Sequence, residues 1–197
     1  MLVVVCKWFY VYLPMEFYIE TERLIMRELL PSDVDGIFEL DGNTEVHKYL
    51  GNNPITTKTQ AEKIIAFIRE QYLERGIGRF ATIEKSSGDF IGWSGFKLNT
   101  GDNETLGSKR DFYDIGYRFI PKYWGKGYAT ESSLAVLNYG FQKLKLDVVF
   151  GAAEVDNIAS NKILQKIGLQ HMEQFPYKGN MINWYKLKKE DHAKTMS

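Results

Sequence analysis

DIGYRFIPKYWGKGYATE, residues Asp114 to Glu131, decides how the rest of the chain is read. An apolar run from Ile115 to Ile120 predicts a strand, Pro121 stops it, Gly125 and Gly127 punctuate a turn, and good helix formers follow from Ala129. A strand that enters a helix through two glycines leaves the first backbone N–H groups of that helix without intrahelical carbonyls. With the positive end of the helix dipole behind them, such amides form a phosphate cradle. A bland turn needs one glycine; two ahead of a helix point to a ligand that approaches the backbone.

The motif separates the proteins that build such cradles. A P-loop needs G-x-x-x-x-G-K-[ST], whereas Gly127 is followed by Tyr128 and Ala129. A Rossmann turn needs a third glycine and an acidic residue on the next strand, and neither is placed here. What remains is a pyrophosphate held by amides and a helix dipole, with no metal ligand in the motif. Coenzyme A fits that description.

The chain has 197 residues, enough for one domain with a real core, and its 25 basic residues balance its 25 acidic ones, so the charge does not suggest polyanion binding. No nucleic-acid or membrane partner is expected. Cys6 is the single cysteine, which rules out an internal disulfide or a thiolate cluster, and His47, His171 and His192 lack metal-ligand spacing. The expectation is a cytoplasmic protein without a metal. Residues 1–13 are apolar but short, broken by Lys7 and without a signal-peptide cleavage pattern, and too few to span a bilayer. Residues 1–14 read as an N-terminal extension or an upstream start, 15–190 as a single domain, and 191–197 as a C-terminal tail.

Within the domain, Phe17 to Arg27 reads as strand interrupted at Glu20 to Arg23. Pro31-Ser32-Asp33 starts a short helix, and Thr59 to Leu73 forms a second one. Strands at Arg79 to Glu84 and Phe90 to Lys97 flank a turn at Ser86 to Asp89, and a polar loop spans Asn99 to Arg110. After the central strand, turn and helix come a buried strand at Val148 to Val155, a helix from Asn157 to Ile167 closed by Gly168, and two strands at Gln170 to Phe175 and Ile182 to Lys186. This order predicts an α/β (α+β) domain with a strongly antiparallel sheet.

Three segments together resemble the GNAT family of N-acetyltransferases, in its RimJ/RimL-like (ribosomal-protein alanine acetyltransferase) branch: ETERLIMRELLPSD (Glu20 to Asp33), IGYRFIPKYWGKGYATE (Ile115 to Glu131) and NIASNKILQKIGL (Asn157 to Leu169). The resemblance covers about Ile19 to Leu187. It implies a mixed, mostly antiparallel, splayed sheet of about seven strands flanked by about four helices. Acetyl-CoA is the implied co-substrate, its pyrophosphate held at Trp124, Gly125, Lys126, Gly127, Tyr128, Ala129 and Thr130. The pantetheine arm would lie in a V-shaped slot and bond to backbone near Phe119 and Ile120. Asn157 would touch pantetheine or substrate, and Lys126 and Lys162 are candidates for CoA phosphates. Trp124 departs from the commoner basic or amide residue at its place. Self-association as a homodimer is also implied.

Acetyl transfer to an amine needs a neutral nucleophile, a polarised thioester carbonyl and a proton for the departing sulfur. Many relatives carry a tyrosine seven residues after the asparagine, but here that position is Leu164, which leaves Ser160 as the nearest hydroxyl on the same helix. Carboxylates for the amine's proton are Asp114, Glu154 and Glu173. Glu173 stands one residue beyond the family's place, which is Met172, and a one-residue slip turns a strand side chain to the other face unless a bulge intervenes. Substrate choice falls to the loops at Tyr49 to Pro54 and Pro176 to Asn180, with Trp93 and Tyr177 as walls. The expected activity is acetyl transfer from acetyl-CoA to a primary amine, a protein N-terminus or a small molecule, by direct attack in a ternary complex. The alternative is a noncatalytic acyl-CoA-binding module.

Overall fold

The structure is a computed structural model that describes residues 17–195. The N-terminal extension read at 1–14 therefore lies outside the described residues. In chain order the elements are β1 (Tyr18–Glu20), β2 (Leu24–Glu28), α1 (Val34–Asp41), α2 (Thr44–His47), α3 (Lys58–Arg75), β3 (Arg79–Glu84), β4 (Phe90–Asn99), β5 (Phe112–Phe119), α4 (Tyr128–Gln142), β6 (Val148–Glu154), α5 (Ile158–Lys166), β7 (Gln170–Tyr177), β8 (Asn180–Lys188) and α6 (Lys189–Thr195). Eight strands form one sheet in the order β1-β2-β3-β4-β5-β6-β8-β7. The resemblance implies about seven strands and four helices. By sequence pattern β1 and β2 read as one interrupted strand across their tight turn, and the four-residue α2 and the terminal α6 are too short to show a period.

Every neighbouring pair in the sheet is antiparallel except β5 and β6, which run parallel. Their register consists of one pair, Asp114 with Phe150. β5 is meanwhile paired with β4 over its whole length, from Gly92–Phe119 to Asn99–Phe112, and β6 with β8 from Val148–Lys188 to Glu154–Ile182. Each of the two strands is thus held on its outer edge and free on its inner edge beyond Asp114. The sheet opens there as a V.

Cross-strand partners share a face, and this sorts the residues around the V. Ile115, Tyr117 and Phe119 lie on the side of Phe96, where α4 packs so closely that a Cβ on Gly140 would stand 2.5 Å from the Phe96 ring. On the same side of β6, Gly151 faces α5, where an added Cβ would meet Leu164 at 2.8 Å. Asp114, Gly116 and Arg118 lie on the opposite side with Trp93, towards α1, whose Asp41 pairs with Arg118. The core fills both sides, with Phe80, Phe96, Phe141, Leu137 and Ile91 fully buried. At the end of the domain, α6 docks its buried His192 5.0 Å from Phe141. Among the described residues no helix is long and apolar enough to cross a membrane.

Candidate active site

The turn after β5 is built as a cradle. Gly125 and Gly127 have φ of +74° and +84°, a region that side chains with a Cβ rarely occupy. A Cβ on Gly125 would meet nothing within 4 Å, so its backbone borders open space. Gly127 caps α4 without a side-chain hydrogen bond, and the first helical bond runs from the Glu131 N–H to the Gly127 carbonyl at 3.0 Å. The amides of Tyr128, Ala129 and Thr130 precede that ladder and carry the positive end of a fifteen-residue helix. Trp124, about half exposed, donates its indole N–H to the Phe119 carbonyl at 2.6 Å. It ties the loop to the end of β5.

The opening segment of the domain braces this loop. Arg23 donates to the Lys126 carbonyl at 2.9 Å, lies 4.5 Å above the Tyr128 ring, and pairs with Glu131 at 2.6 Å. Glu131 also accepts from the Thr21 hydroxyl and the Arg23 N–H. Burial alone would raise the Glu131 carboxyl, but these bonds outweigh it and hold the group below its ordinary value. The Lys126 ammonium lies over the Tyr123 ring, and Lys162 is exposed on α5.

From the cradle the V runs back along β5. The antiparallel bond from the Ile120 N–H to the Ile91 carbonyl fixes the alternation. Ile120 therefore spends its N–H on β4, while the backbone groups of Phe119, Tyr117 and Ile115 face the opening. On the far wall, the Asn157 side chain accepts the Ser160 N–H at 3.1 Å and caps α5, and Asn161 knits α5 to β6 and β8 through Glu154, Asn183 and Tyr185. The Tyr117 hydroxyl donates to the Ser160 carbonyl at 3.1 Å across the mouth of the V. Sequence reasoning passed over Tyr117 as a strand residue, although the alternation Ile115, Tyr117, Phe119 already set it on the inner face.

The carboxylates occupy distinct places. Asp114 stands at the fork, its Oδ2 2.8 Å from Arg79 and its Oδ1 accepting from Asn99 at 2.9 Å. Glu154, at the end of β6, accepts from Asn180. Glu173 follows a register shift that leaves Met172 unpaired between His171–Tyr185 and Glu173–Trp184. That bulge turns Glu173, on the outermost strand, to the face of Trp184, the face of Asp114, where it pairs with Lys109 of the loop before β5. Two strands, β8 and β6, separate it from the V, so it does not converge with Asp114 and Ser160.

The same face carries a second group that composition did not reveal. Trp93 lies between the guanidinium groups of Arg79 and Arg118, each 5.1 Å from its ring. Arg118 pairs with the buried Asp41, and the His47 imidazole lies 3.7 Å from that carboxylate. Burial lowers the affinity of His47 for a proton, Arg118 lowers it further, and Asp41 opposes both. Beyond the fork, Phe112, Phe150 and Trp184 form an aromatic wall with ring centroids 4.9 to 6.0 Å apart.

An acetyltransferase (GNAT) domain model matches residues 23–170, from the Arg23 brace to the strand after α5. The chain is 33% identical over 152 residues to the uncharacterized N-acetyltransferase YoaA of Bacillus subtilis, covering 77% of this chain and 82% of that one. Among solved structures it is similar to a GNAT-family acetyltransferase from Bacillus anthracis, with a TM-score of 0.73, 24% identity and coverage of 88% and 99%. It is also similar to spermidine N-acetyltransferase from Vibrio cholerae, solved in complex with CoA and spermine, with a TM-score of 0.70, 16% identity and coverage of 88% and 99%. A splayed sheet, an amide cradle at the end of its central strand and a family model spanning both lead to one conclusion: the chain belongs to the GNAT family and is an acetyl-CoA-dependent N-acetyltransferase.

Proposed function

We propose that the enzyme transfers the acetyl group directly to a primary amine in a ternary complex, and that its acceptor is a protein N-terminal amine or a small amine with hydrocarbon or peptide attached, as in the RimJ/RimL-like branch. The observation that carries this reading is the fork at Asp114 and Phe150. It lies at the closed end of a slot whose open end is the cradle, and its front face carries the partly exposed side chains of Asp114, Arg79, Arg118 and Phe150 over buried Trp93 and Trp184. The residues fit acetyl-CoA: open space at Gly125, unladdered amides at the start of α4, and unpaired strand edges between cradle and fork.

Acetyl-CoA supplies the thioester, and this chain's residues divide the remaining work. The amides of Tyr128 to Thr130 hold the pyrophosphate. Backbone N–H groups on the inner edge of β5 polarise the thioester carbonyl. Asp114, through water, takes the proton of the incoming ammonium, and Ser160 sits on the sulfur's side with Asn157 fixing its turn. Glu173, held by Lys109, borders the acceptor face.

The charge on that face favours a peptide or hydrocarbon amine over a polycation. Asp114 is neutralised by Arg79 and Asp41 by Arg118, which leaves no surplus of negative charge from these two carboxylates. Phe150, partly exposed at the fork and backed by the buried rings of Phe112 and Trp184, suits an apolar or peptide neighbour of the amine. A cytoplasmic enzyme whose single domain spans 15–190 and which forms a homodimer completes the proposal. Thiol release from acetyl-CoA across N-terminal peptides, simple alkylamines, spermine and an aminoglycoside tests it. Amine-dependent release with peptides or alkylamines is expected, and release with spermine alone would overturn the acceptor assignment.

A further inference from the structure

Thioester aminolysis ends with an electron pair on sulfur. The acceptor nitrogen forms its bond to the carbonyl carbon, the C–S bond breaks with both electrons going to sulfur, the ammonium proton leaves nitrogen through water, and water returns a proton to the thiolate. A hydrogen-bond donor beside the sulfur stabilises that charge as it forms. On α5, Leu164 is buried against Gly151 of the β6 wall and cannot donate.

Tyr117 has what Leu164 lacks. It stands between Ile115 and Phe119, two buried residues, yet remains only half-buried itself because it borders the V. Its hydroxyl reaches from β5 to the first turn of α5 and donates to the Ser160 carbonyl at 3.1 Å. That carbonyl points along the helix towards Leu164. The Trp124 indole on the Phe119 carbonyl marks where the cradle meets the end of β5. Tyr117 lies two residues deeper, about 7 Å at about 3.3 Å per strand residue, and about 10 Å short of Asp114 by the same measure. An arm entering from the cradle passes Phe119, then meets the Tyr117 side chain. The front face at the fork, with Asp114, is left to the amine.

We infer that the Tyr117 hydroxyl is the hydrogen-bond donor to the sulfur of CoA, reaching it from the α5 side of the slot as the acceptor enters from the opposite side. This rests on the slot holding the pantetheine arm. The bond is shared with, or exchanged for, the one to Ser160, whose carbonyl parks the hydroxyl in the right direction. Burial keeps the phenol well above its ordinary value of 10.0, so it retains its proton while a thiol beside it ionises. Tyr117 acts by donating a hydrogen bond and is not consumed.

The test compares CoA with desulfo-CoA by calorimetric titration. Wild-type protein is expected to bind CoA about 10-fold more tightly than desulfo-CoA at pH 9, a preference that shrinks at pH 7 because a donor favours thiolate over thiol. Tyr117→Phe is expected to bind the two ligands equally, with the affinity for desulfo-CoA unchanged. A tether that served only to join β5 to α5 would lower both affinities together. A preference kept in Tyr117→Phe, or a wild-type preference that does not change with pH, overturns the inference; the second comparison needs no variant. If wild-type protein binds neither ligand, the reading of the slot itself fails, which is a distinguishable result.

Discussion

The Arg23 guanidinium lies 2.6 Å from the Glu131 carboxylate, so the turn between the first two strands is bonded to the first turn of the helix that ends the cradle. Glu131 gathers four donor groups there: the Thr21 hydroxyl at 2.6 Å, the Arg23 N–H at 3.1 Å, and the Arg23 Nε and Nη2 at 2.7 and 2.6 Å. Removing it in Glu131→Ala strips the partly buried Thr21 hydroxyl and the more exposed Arg23 donors of their acceptor and is expected to cost about 1–2 kcal/mol of stability. Arg23→Ala removes a half-exposed cation and is expected to cost about 1 kcal/mol or less. Both should weaken CoA binding several-fold because Lys126 loses its anchor. Thermal unfolding and calorimetric CoA titration check this, and full CoA affinity in Glu131→Ala would show that the brace stabilises the fold without shaping the cradle. The sign with pH follows from the lowered carboxyl: its stabilisation is complete above the ordinary value of 4.5 and is lost as pH falls through the depressed one.

Gly125 and Gly127 separate conformational cost from ligand contact. Gly125→Ala and Gly127→Ala each place a Cβ at positive φ, at a cost of about 1–2 kcal/mol. Gly179→Ala is the control, since Gly179 has φ of +85° and open space around its added Cβ but sits in the turn between β7 and β8, away from the cradle. All three variants should lose similar stability, while only the two cradle variants lose CoA affinity, by about tenfold or more, as the Cβ occupies the space a phosphate needs. Equal CoA binding in all three would remove the cradle from the proposed site.

The glycine turn ahead of α4 and the element order were legible in the sequence because both are local. Two glycines before a run of helix formers announce their geometry within about ten residues, and the strands of Val148 to Glu154 and Arg79 to Glu84 carry their own apolar pattern. Arg79 with Asp114, Arg118 with Asp41, and Tyr117 with Ser160 were not legible, because each joins residues 35 or more positions apart. No spacing rule links them before the sheet is assembled. Glu173 shows the intermediate case. Its one-residue displacement was visible, whereas the bulge at Met172 that turns it to the face of Trp184 depends on pairing with β8.

The Asp114–Arg79 pair decides whether Asp114 accepts a proton or supports the site. Arg79 is held by Asp114 and the Gly95 carbonyl, and only 12% of its side chain is exposed. Asp114→Asn leaves that cation without its counter-charge and is expected to cost about 3 kcal/mol. Turnover with the best acceptor of the panel should fall at least 100-fold, while CoA affinity changes little. The double variant Arg79→Gln/Asp114→Asn removes both charges and should recover much of the stability. If turnover stays lost in the double variant, Asp114 is needed for its carboxylate. If turnover returns with stability, Asp114 only holds Arg79 and the proton leaves elsewhere.

His47 gives the acceptor face a dependence on pH that the cradle does not share. Its ring is buried beside Asp41 and faces Arg118, and burial with the Arg118 charge depresses its proton affinity more than Asp41 restores it. In the unfolded chain the same imidazole titrates near 6.5. Below that value the unfolded state binds a proton that the folded state resists, so stability is full above pH 6.5 and is lost as pH falls towards the depressed value. Buried His192 has the same sign from burial alone. Urea midpoints should therefore drop between pH 7.5 and 5.5 in the wild type and drop less in His47→Gln, with the remainder carried by His192. The loss should also be uneven. α1 and α2 hold Asp41 and His47 against Trp93 and Arg118, so protonation of His47 beside Arg118 loosens that face first. Acceptor KM should then rise as pH falls from 7.5 to 5.5, while CoA affinity, set by amides and glycines on the far side of the V, stays level. A parallel loss of CoA affinity would mean that the two halves of the site are not independent.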